Sequence, residues 1–371
     1  MQLSAHIPKL RHGAEPFIAR VAGLSTGSQS RQLRLLLANK LEREVSIPDG
    51  LGYLADGDIV RVNETAGEIR VLYRRDSRHN VLFFTERCNS RCLMCSQPPR
   101  SVDDGYLVEE ILEAIPLMSP ETEVLCITGG EPTLLGSKLL DVIRAIRKYL
   151  PRTALHMLTN GRLFASTRLA QNIAEIEHPD FMIGIPIYSD IASKHDFVVQ
   201  AKGAFDETVR GIIKLKQANQ KVEIRFVIHK QTIDRLPQTA RFIARNVPFV
   251  DQVALMGLEM TGFTRSNLEA LWLDPFDYQP QLRQAVSELN VSRIGTVIYN
   301  HQLCVLDKEL WPFARRSISD WKNIYMPECG DCAIREDCGG FFASATLRYS
   351  RHIKPFQAPQ GAGAGAVCST Q

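Results

Sequence analysis

From Val81 to about Asn300, short apolar runs alternate with stretches whose apolar residues recur every three to four positions. The runs fall at 81–86, 123–128, 153–158, 181–187, 221–228 and 252–257. Each has the length of a strand buried on both faces, and the stretches between read as amphipathic helices. In 137–150, Leu139, Ile143, Ile146 and Leu150 share one face; in 203–218, Phe205, Val209, Ile212 and Lys216 form a mostly apolar stripe. Six βα repeats of about thirty-five residues imply right-handed parallel crossovers, hence an α/β fold that is either a barrel or a doubly wound sheet. The periodicity does not choose between them. In the fifth run, Val222, Ile224, Phe226 and Ile228 alternate with Glu223, Arg225, Val227 and His229. A period of two sends the first set toward the helices and the second, in a barrel, into the lumen. Arg225 and His229 then line a polar pocket, or Glu223 and Arg225 satisfy each other across it.

The flanks read differently. Residues 1–79 contain no cysteine and carry short β-like runs, Gly57-Asp-Ile-Val-Arg-Val62 and Gly67-Glu-Ile-Arg-Val-Leu-Tyr73, which predict a small β-rich amino-terminal domain. After Asp274-Pro275 a helix-like stretch runs to about Leu289, followed by the apolar run Ile294-Gly-Thr-Val-Ile-Tyr299. The core is therefore expected over 80–300, a cysteine-rich region over 301–356, and a disordered Gly-Ala tail over 357–371.

A hydrophobic content of 44% in 371 residues supports one large core with appendages. Forty-four basic residues against 41 acidic ones leave a net charge of +3, which gives no reason to expect nucleic acid or a membrane surface as partner. The basic run Arg70 to Arg78 reads as a solvated face. Nine cysteines, the lack of an apolar segment in Met1 to Gly13, and no apolar run long enough to span a bilayer point to a soluble protein of the reducing cytoplasm.

The cysteines change the picture most. Cys88-Asn-Ser-Arg-Cys92-Leu-Met-Cys95 follows the apolar run Asn80-Val-Leu-Phe-Phe-Thr85, so three thiolates within eight residues can converge on one metal centre at a strand end. Three is one fewer than a closed tetrahedral site needs, and a three-thiolate iron–sulfur cluster leaves one iron open to a small molecule. Zinc and unrelated cysteines are the competing readings. About forty residues beyond Cys88, Ile127-Thr-Gly129-Gly130-Glu131-Pro132 again follows an apolar run; its plain reading is a βα turn with a helix-starting proline. A second group, Cys329-Gly-Asp-Cys332 with Cys338 and the upstream Cys304, has the count to close a tetrahedral centre, as a cluster or as a zinc ribbon. Cys126, inside a strand, and Cys368, in the tail, read as structural or incidental.

The spacing of Cys88, Cys92 and Cys95 resembles the CxxxCxΦC signature of the radical S-adenosylmethionine (radical SAM) enzymes, with Met94 at the usually aromatic position, and Gly129 to Pro132 resembles their GGEP motif. The resemblance implies a partial (β/α)6 barrel whose lumen holds cofactor and substrate. It implies that the three thiolates bind a [4Fe–4S] cluster whose open iron is chelated by S-adenosylmethionine. An electron from an external donor then releases a 5′-deoxyadenosyl radical that takes a hydrogen from substrate. Met94 would pack against the adenine, and Gly129, Gly130, Glu131 and Pro132 would receive the methionine end. By position at strand ends, Asn160 and Ser189 are ribose candidates and Arg225 a carboxylate candidate, with a turn or cap role as the alternative. The carboxyl-terminal group resembles the start of a SPASM domain, but Phe342 stands where its last cysteine belongs; with Cys304 added it resembles the twitch type, which carries one auxiliary [4Fe–4S] cluster. Zinc remains the rival there.

The string Thr85-Glu-Arg-Cys88 through Cys95-Ser-Gln-Pro-Pro-Arg100 further resembles the His-Xaa-Ser system radical SAM maturases of the HxsC type. That resemblance implies modification of a ribosomally made precursor peptide together with a second radical SAM partner. A radical SAM enzyme acting on a small molecule such as a purine-derived precursor, and a non-enzymatic metal-binding scaffold, are the other classes. Cofactor cleavage separates scaffold from enzyme, and peptide affinity through residues 1–79 separates maturase from small-molecule enzyme.

Overall fold

The computed structural model describes residues 4–7, 15–26, 31–37, 39–166, 168–316 and 324–357. Cys368 and all but the first residue of the tail lie outside the described residues.

The amino-terminal part is a six-stranded antiparallel sheet of β1 (Ser4–His6), β2 (Phe17–Thr26), β3 (Arg31–Leu37), β4 (Glu42–Ile47), β5 (Ile59–Asn63) and β6 (Glu68–Tyr73), ordered β1-β6-β5-β2-β3-β4. Alternate residues such as Val21, Leu33, Leu35 and Val62 build its own core. Three of its residues, Ile18, Ile59 and Tyr73, instead join the larger core of the second sheet. The Tyr73 hydroxyl and Thr122 Oγ1 lie 2.8 Å apart, and Glu110 pairs with both Arg61 and Arg70. The basic run is thus not one solvated face: Arg70 is spent on this joint, and Arg74 lies 3.7 Å from the buried Asp58.

The second sheet contains β7 (His79–Phe83), α1 (Tyr106–Ala114), β8 (Val124–Thr128), α2 (Ser137–Tyr149), β9 (Ala154–Leu158), α3 (Leu169–Ala174), β10 (Phe181–Pro186), α4 (Ala192–Val199), α5 (Ala204–Gln217), β11 (Lys221–Ile228), α6 (Leu236–Asn246), β12 (Gln252–Gly257), α7 (Phe263–Ser266), α8 (Leu268–Leu271), α9 (Gln279–Val291) and β13 (Gly295–Tyr299). Its strands run parallel in the unbroken order β7 to β13. The order never reverses, so right-handed crossovers put the connecting helices on one face and leave the other as a lumen. This is a barrel winding rather than a doubly wound one, open because β7 and β13 each have a single strand neighbour.

Two expectations are corrected. The sheet has seven strands, not six, because the apolar run ending at Tyr299 pairs with β12 as β13; and the first strand is His79–Phe83, shifted toward the amino terminus from 81–86. The face of α5 is also rotated: Ala204, Thr208, Gly211, Ile212 and Leu215 are buried rather than Phe205, Val209 and Lys216. The reason is close backbone packing, since a Cβ at Gly211 would sit 2.1 Å from the Gly161 carbonyl oxygen. The α2 face follows the pattern, with Leu139, Ile143 and Ile146 fully buried. Beyond β13 the chain forms short 3₁₀ turns and bridges, Ile298 to Ala314 and Ile324 to Phe341, that fold back over the ends of the last strands. No helix among the described residues is long and apolar enough to cross a membrane.

Candidate active site

The loop after β7 is held from three directions. Below it, buried Asp104 accepts from Thr85 Oγ1 at 2.8 Å and from the Glu86 amide at 2.6 Å, and lies 3.4 Å from Arg87 Nε. On one side the amides of Arg91 and Leu93 donate to the carbonyls of Val199 and Val198 at the end of α4. On the other, the Leu93, Met94 and Cys95 carbonyls accept from Asn267 Nδ2, Thr264 Oγ1 and the Phe263 amide at 2.9, 3.1 and 2.8 Å. A loop with its backbone groups satisfied this way is fixed before any ligand arrives.

Cys88, Cys92 and Cys95 are free thiols. Burial, the largest cause, pushes Cys88 to about 11 and Cys92 to about 12, and the neighbouring thiols add to it. Cys95 is also raised by burial, with the Gln97 backbone pulling the other way. All three are therefore protonated near neutrality, and metal uptake would release protons. Among the described residues no three His, Cys, Asp or Glu side chains form a ready-made metal site. Met94 is buried in a small apolar cluster with Tyr188, Val198, Val199 and Leu271, and Tyr188 carries its hydroxyl within the electrostatic reach of Cys92, Arg225 and Cys95.

The loop after β8 docks against the first loop backbone to backbone. The Gly130 amide donates to the Thr85 carbonyl at 2.6 Å and the Glu131 amide to the Arg87 carbonyl at 2.8 Å. A Cβ would lie 2.6 Å from Thr85 O at Gly129, whose φ is +144°, and 2.2 Å from Arg87 O at Gly130. No side chain fits either position. Glu131 is fully buried. Its Oε1 accepts from the Thr133 amide (3.1 Å), Thr133 Oγ1 (2.5 Å) and Thr159 Oγ1 (2.6 Å), and its Oε2 from the Asn160 amide (2.7 Å). Burial raises its pKa although these donors pull it down. The carboxylate knits the loops after β8 and β9 together, and Pro132 opens the 3₁₀ turn Pro132–Leu135.

The other positions are placed as follows. Asn160 Nδ2 donates to Asn89 Oδ1 at 2.6 Å, linking the loop after β9 to the cysteine loop. Ser189 is buried and its Oγ accepts from the Ile191 amide at 3.1 Å, a turn role beside Asp190, which pairs with Arg235. Arg225 Nη1 donates to Glu223 Oε1 at 2.5 Å and Nη2 approaches Met256 Sδ at 3.1 Å, while Gln252 takes Glu223 Oε2 at 2.6 Å. Of the two lumen readings, the mutual Glu223–Arg225 pair is the one observed.

Pattern reading missed Arg162. Its Nη1 donates to the Asn89 carbonyl at 2.5 Å and Ser90 Oγ at 3.2 Å, and its Nε to Glu207 at 2.5 Å, so it clamps the cysteine loop. His229, expected in the lumen, is wholly buried; Nδ1 accepts from the Gln231 amide at 3.2 Å, which puts the proton on Nε2, and Nε2 has no partner among the described residues.

Cys304, Cys329, Cys332 and Cys338 line one open cavity of about 300 Å³ beside the ends of the last strands. Burial raises Cys304 and Cys329, and each also feels Cys338. The Phe356 amide donates to Cys332 Sγ at 3.4 Å, and the Lys354 backbone bonds to Cys304.

Both sets fit the groups their chemistry suggests. The first offers neutral thiols on a rigid loop, an apolar wall at Met94 and the orphaned Nε2 of His229 nearby, across from Tyr188 with ring centroids 6.4 Å apart. The second offers sulfur ligands alone around a shared cavity.

Comparisons with known proteins agree with this geometry. Residues 82–243 match the family model of the radical SAM superfamily. The chain is 28% identical over 169 residues to the Fe-coproporphyrin III synthase of Methanosarcina barkeri, covering 44% of this chain and 41% of that protein. It is 31% identical over 159 residues to the pre-heme d1 synthase of Dinoroseobacter shibae, covering 42% and 37%. It thus spans about two fifths of the length of these curated relatives. Among solved structures, Streptococcus suis SuiB bound to S-adenosylmethionine aligns with a TM-score of 0.48 at 15% identity, over 60% of this chain and 51% of that one. The match to the superfamily model begins within β7 and takes in both docked loops.

Proposed function

We propose that this protein is a radical SAM enzyme that modifies a ribosomally made precursor peptide. One observation carries the reading: the triple-cysteine loop and the Gly129-Gly130 loop, at the ends of adjacent parallel strands, are docked amide to carbonyl. Cys88, Cys92 and Cys95 would hold the cluster, leaving one iron for the cofactor. Met94 and Tyr188 would wall off the adenine, and the partly exposed Gly129-Gly130 backbone would accept from the methionine ammonium. When bound, cluster and S-adenosylmethionine together supply a carbon-centred radical by one-electron reductive cleavage. The chain's own part is to fix the loops, exclude water and keep Glu131 and Arg162 bracing the cysteine loop. Cys304, Cys329, Cys332 and Cys338 would hold an auxiliary [4Fe–4S] cluster.

The peptide class rests on Ser96-Gln-Pro-Pro99 and the HxsC resemblance it carries, which also brings a second radical SAM maturase as partner and an external electron donor. The relatives are named for small-molecule products, so a small-molecule substrate is the reading the test must separate. Under anaerobic reduction, the protein should cleave S-adenosylmethionine, and Cys88→Ala, Cys92→Ala and Cys95→Ala should each abolish cleavage. Survival in any one of them would sink the assignment. A peptide with His-Xaa-Ser repeats should raise turnover, and its affinity should fall when residues 1–79 are removed from an otherwise folded chain; no response to peptide would return the substrate to the small-molecule class.

A further inference from the structure

An open cavity of about 640 Å³ lies between the strand ends and the carboxyl-terminal extension. Ile228, Gly257 and Asn300, at or just past the ends of β11, β12 and β13, form one wall, and Gly339 to Phe342 with Ala345 and Arg348 to Ser350 form part of the other. It sits between the two cysteine sets: Leu258 belongs both to its lining and to the apolar group around Met94, and Gln302 lines both this cavity and that of the four cysteines.

Its chemistry is specific in two respects. Five rings line it, those of Trp272, Tyr278, Phe341, Phe342 and Tyr349. Arg348 is the one charged lining residue among those described, and it is already matched: Nη1 lies 2.7 Å from Glu269 Oε1, and the guanidinium carbon is 4.5 Å from the Trp272 ring centroid. A triphosphate or polycarboxylate would find no free countercharge here, and burying unpaired anionic groups is costly. The polar lining faces the other way. Asn300 Nδ2 donates to the Gly257 carbonyl at 3.2 Å and Gln302 Nε2 to the Gly340 carbonyl at 2.8 Å, which leaves the two amide oxygens as acceptors.

We propose that this cavity binds an uncharged aromatic or heteroaromatic ring bearing an N–H or O–H donor, and that the ring belongs to the segment of substrate presented to the radical. The second clause rests on the enzymatic reading above; the first does not. The ring would stack among the five aromatic side chains and donate to Asn300 or Gln302.

Calorimetry on the full-length, cluster-reconstituted protein under anaerobic conditions tests this with three probes: N-acetyltryptophanamide, guanosine and guanosine triphosphate. At least one neutral probe should bind, and the triphosphate should bind about tenfold or more weakly than guanosine, because it carries the same ring with an added bulky polyanion that the lining does not match. Tighter binding of N-acetyltryptophanamide would assign the ring to a peptide side chain, and tighter binding of guanosine to a free heterocycle. Ala345→Trp, which fills the cavity, should remove neutral-ring binding. Phe342→Ala, which takes a half-buried ring from the wall, should weaken it about tenfold and covers the case in which the bulkier variant does not fold. Binding of neither neutral ring, triphosphate binding equal to or tighter than guanosine, or unchanged affinity in both variants would overturn the proposal. Cofactor cleavage is read separately. Cleavage without ring binding removes the cavity proposal alone, and ring binding without cleavage removes the enzymatic reading together with the clause that assigns the ring to substrate, leaving the ring site standing.

Discussion

The carboxylate of Glu131 accepts a hydrogen bond from the backbone amide of Asn160 at 2.7 Å. With the Thr159 hydroxyl, which also donates to Glu131, that contact joins the loop after β8 to the loop after β9, and Asn160 in turn reaches Asn89 in the cysteine loop. Glu131→Gln should therefore be more than a charge change. Glutamine has one oxygen where the site needs two acceptors, and its NH₂ would face either the fixed Asn160 amide or the two threonine donors. The expected loss is about 1–3 kcal/mol of stability, read from the urea midpoint of the full chain. A midpoint equal to wild type would mean that the network is dispensable. Gly130→Ala should cost at least as much, because the added Cβ meets a backbone oxygen at 2.2 Å that no rotamer can move.

Arg162 is expected to act on the cysteine loop without touching a cysteine. Its Nη1 holds the Asn89 carbonyl and its Nε is anchored on Glu207 at 2.5 Å. Arg162→Lys keeps the charge but loses the fork that grips both partners. After anaerobic reconstitution, the variant should hold less iron at the first site or lose it faster to a chelator, while circular dichroism stays native. Iron retention indistinguishable from wild type would show that the loop stands without the clamp.

Much of this arrangement was legible in the sequence, and the exceptions have physical causes. The alternation of short apolar runs and helical stripes identified the α/β class because parallel strands buried on both faces leave a strong apolar signature. The close approach of the Gly129-Gly130 pair to the cysteine loop was legible because only glycine lets two backbones come that near. The buried face of α5 was misread because Gly211 carries no hydrophobic signal, although it packs closest, against Gly161 O. Arg162 left no local trace, since its partners Asn89 and Ser90 are 73 and 72 residues away. Arg225 looked like a free ligand because period two reports the face a side chain points to, not that Glu223 on the same face already holds it at 2.5 Å.

The carboxyl-terminal cysteines make a countable prediction. With four sulfurs around one cavity, the wild type should carry about eight irons after reconstitution and the Cys88/Cys92/Cys95 triple alanine about four. Changing Cys329 and Cys332 to alanine should leave cofactor cleavage largely intact and stop substrate modification. Four irons falling to none, with zinc bound, would make the second site a zinc staple. The backbone bonds from Lys354 and Phe356 to Cys304 and Cys332 add a finer expectation: Phe356→Pro deletes one N–H···S bond and should lower the potential of a cluster there. An unmoved potential in a variant with full iron would exclude that tuning role.

Three buried histidines and the half-buried His156 make the fold sensitive to acid. Burial lowers His156, His195 and His301 to about 4 and His229 to about 3. His301 shows why: Nδ1 donates to the Tyr299 carbonyl at 2.8 Å and Nε2 accepts from the Tyr278 hydroxyl at 2.7 Å, an arrangement that only the neutral ring can make. With the folded pKa below the unfolded value near 6.5, the unfolded chain binds more protons between the two. Stability is then full above about pH 6.5 and falls as pH drops toward 4, by up to about 1.4 kcal/mol per pH unit for each histidine. Glu131, Asp58 and Glu110 work in the opposite sense, since burial raises each of them and a raised carboxyl pKa favours the fold only while the group is protonated, but they are three groups against four. Urea midpoints should therefore decline from pH 7 to pH 5, and His301→Gln, which keeps an acceptor near Tyr278 but cannot titrate, should flatten that decline by about one proton's share. A midpoint that is constant over this range would mean that these histidines are not held neutral by the fold.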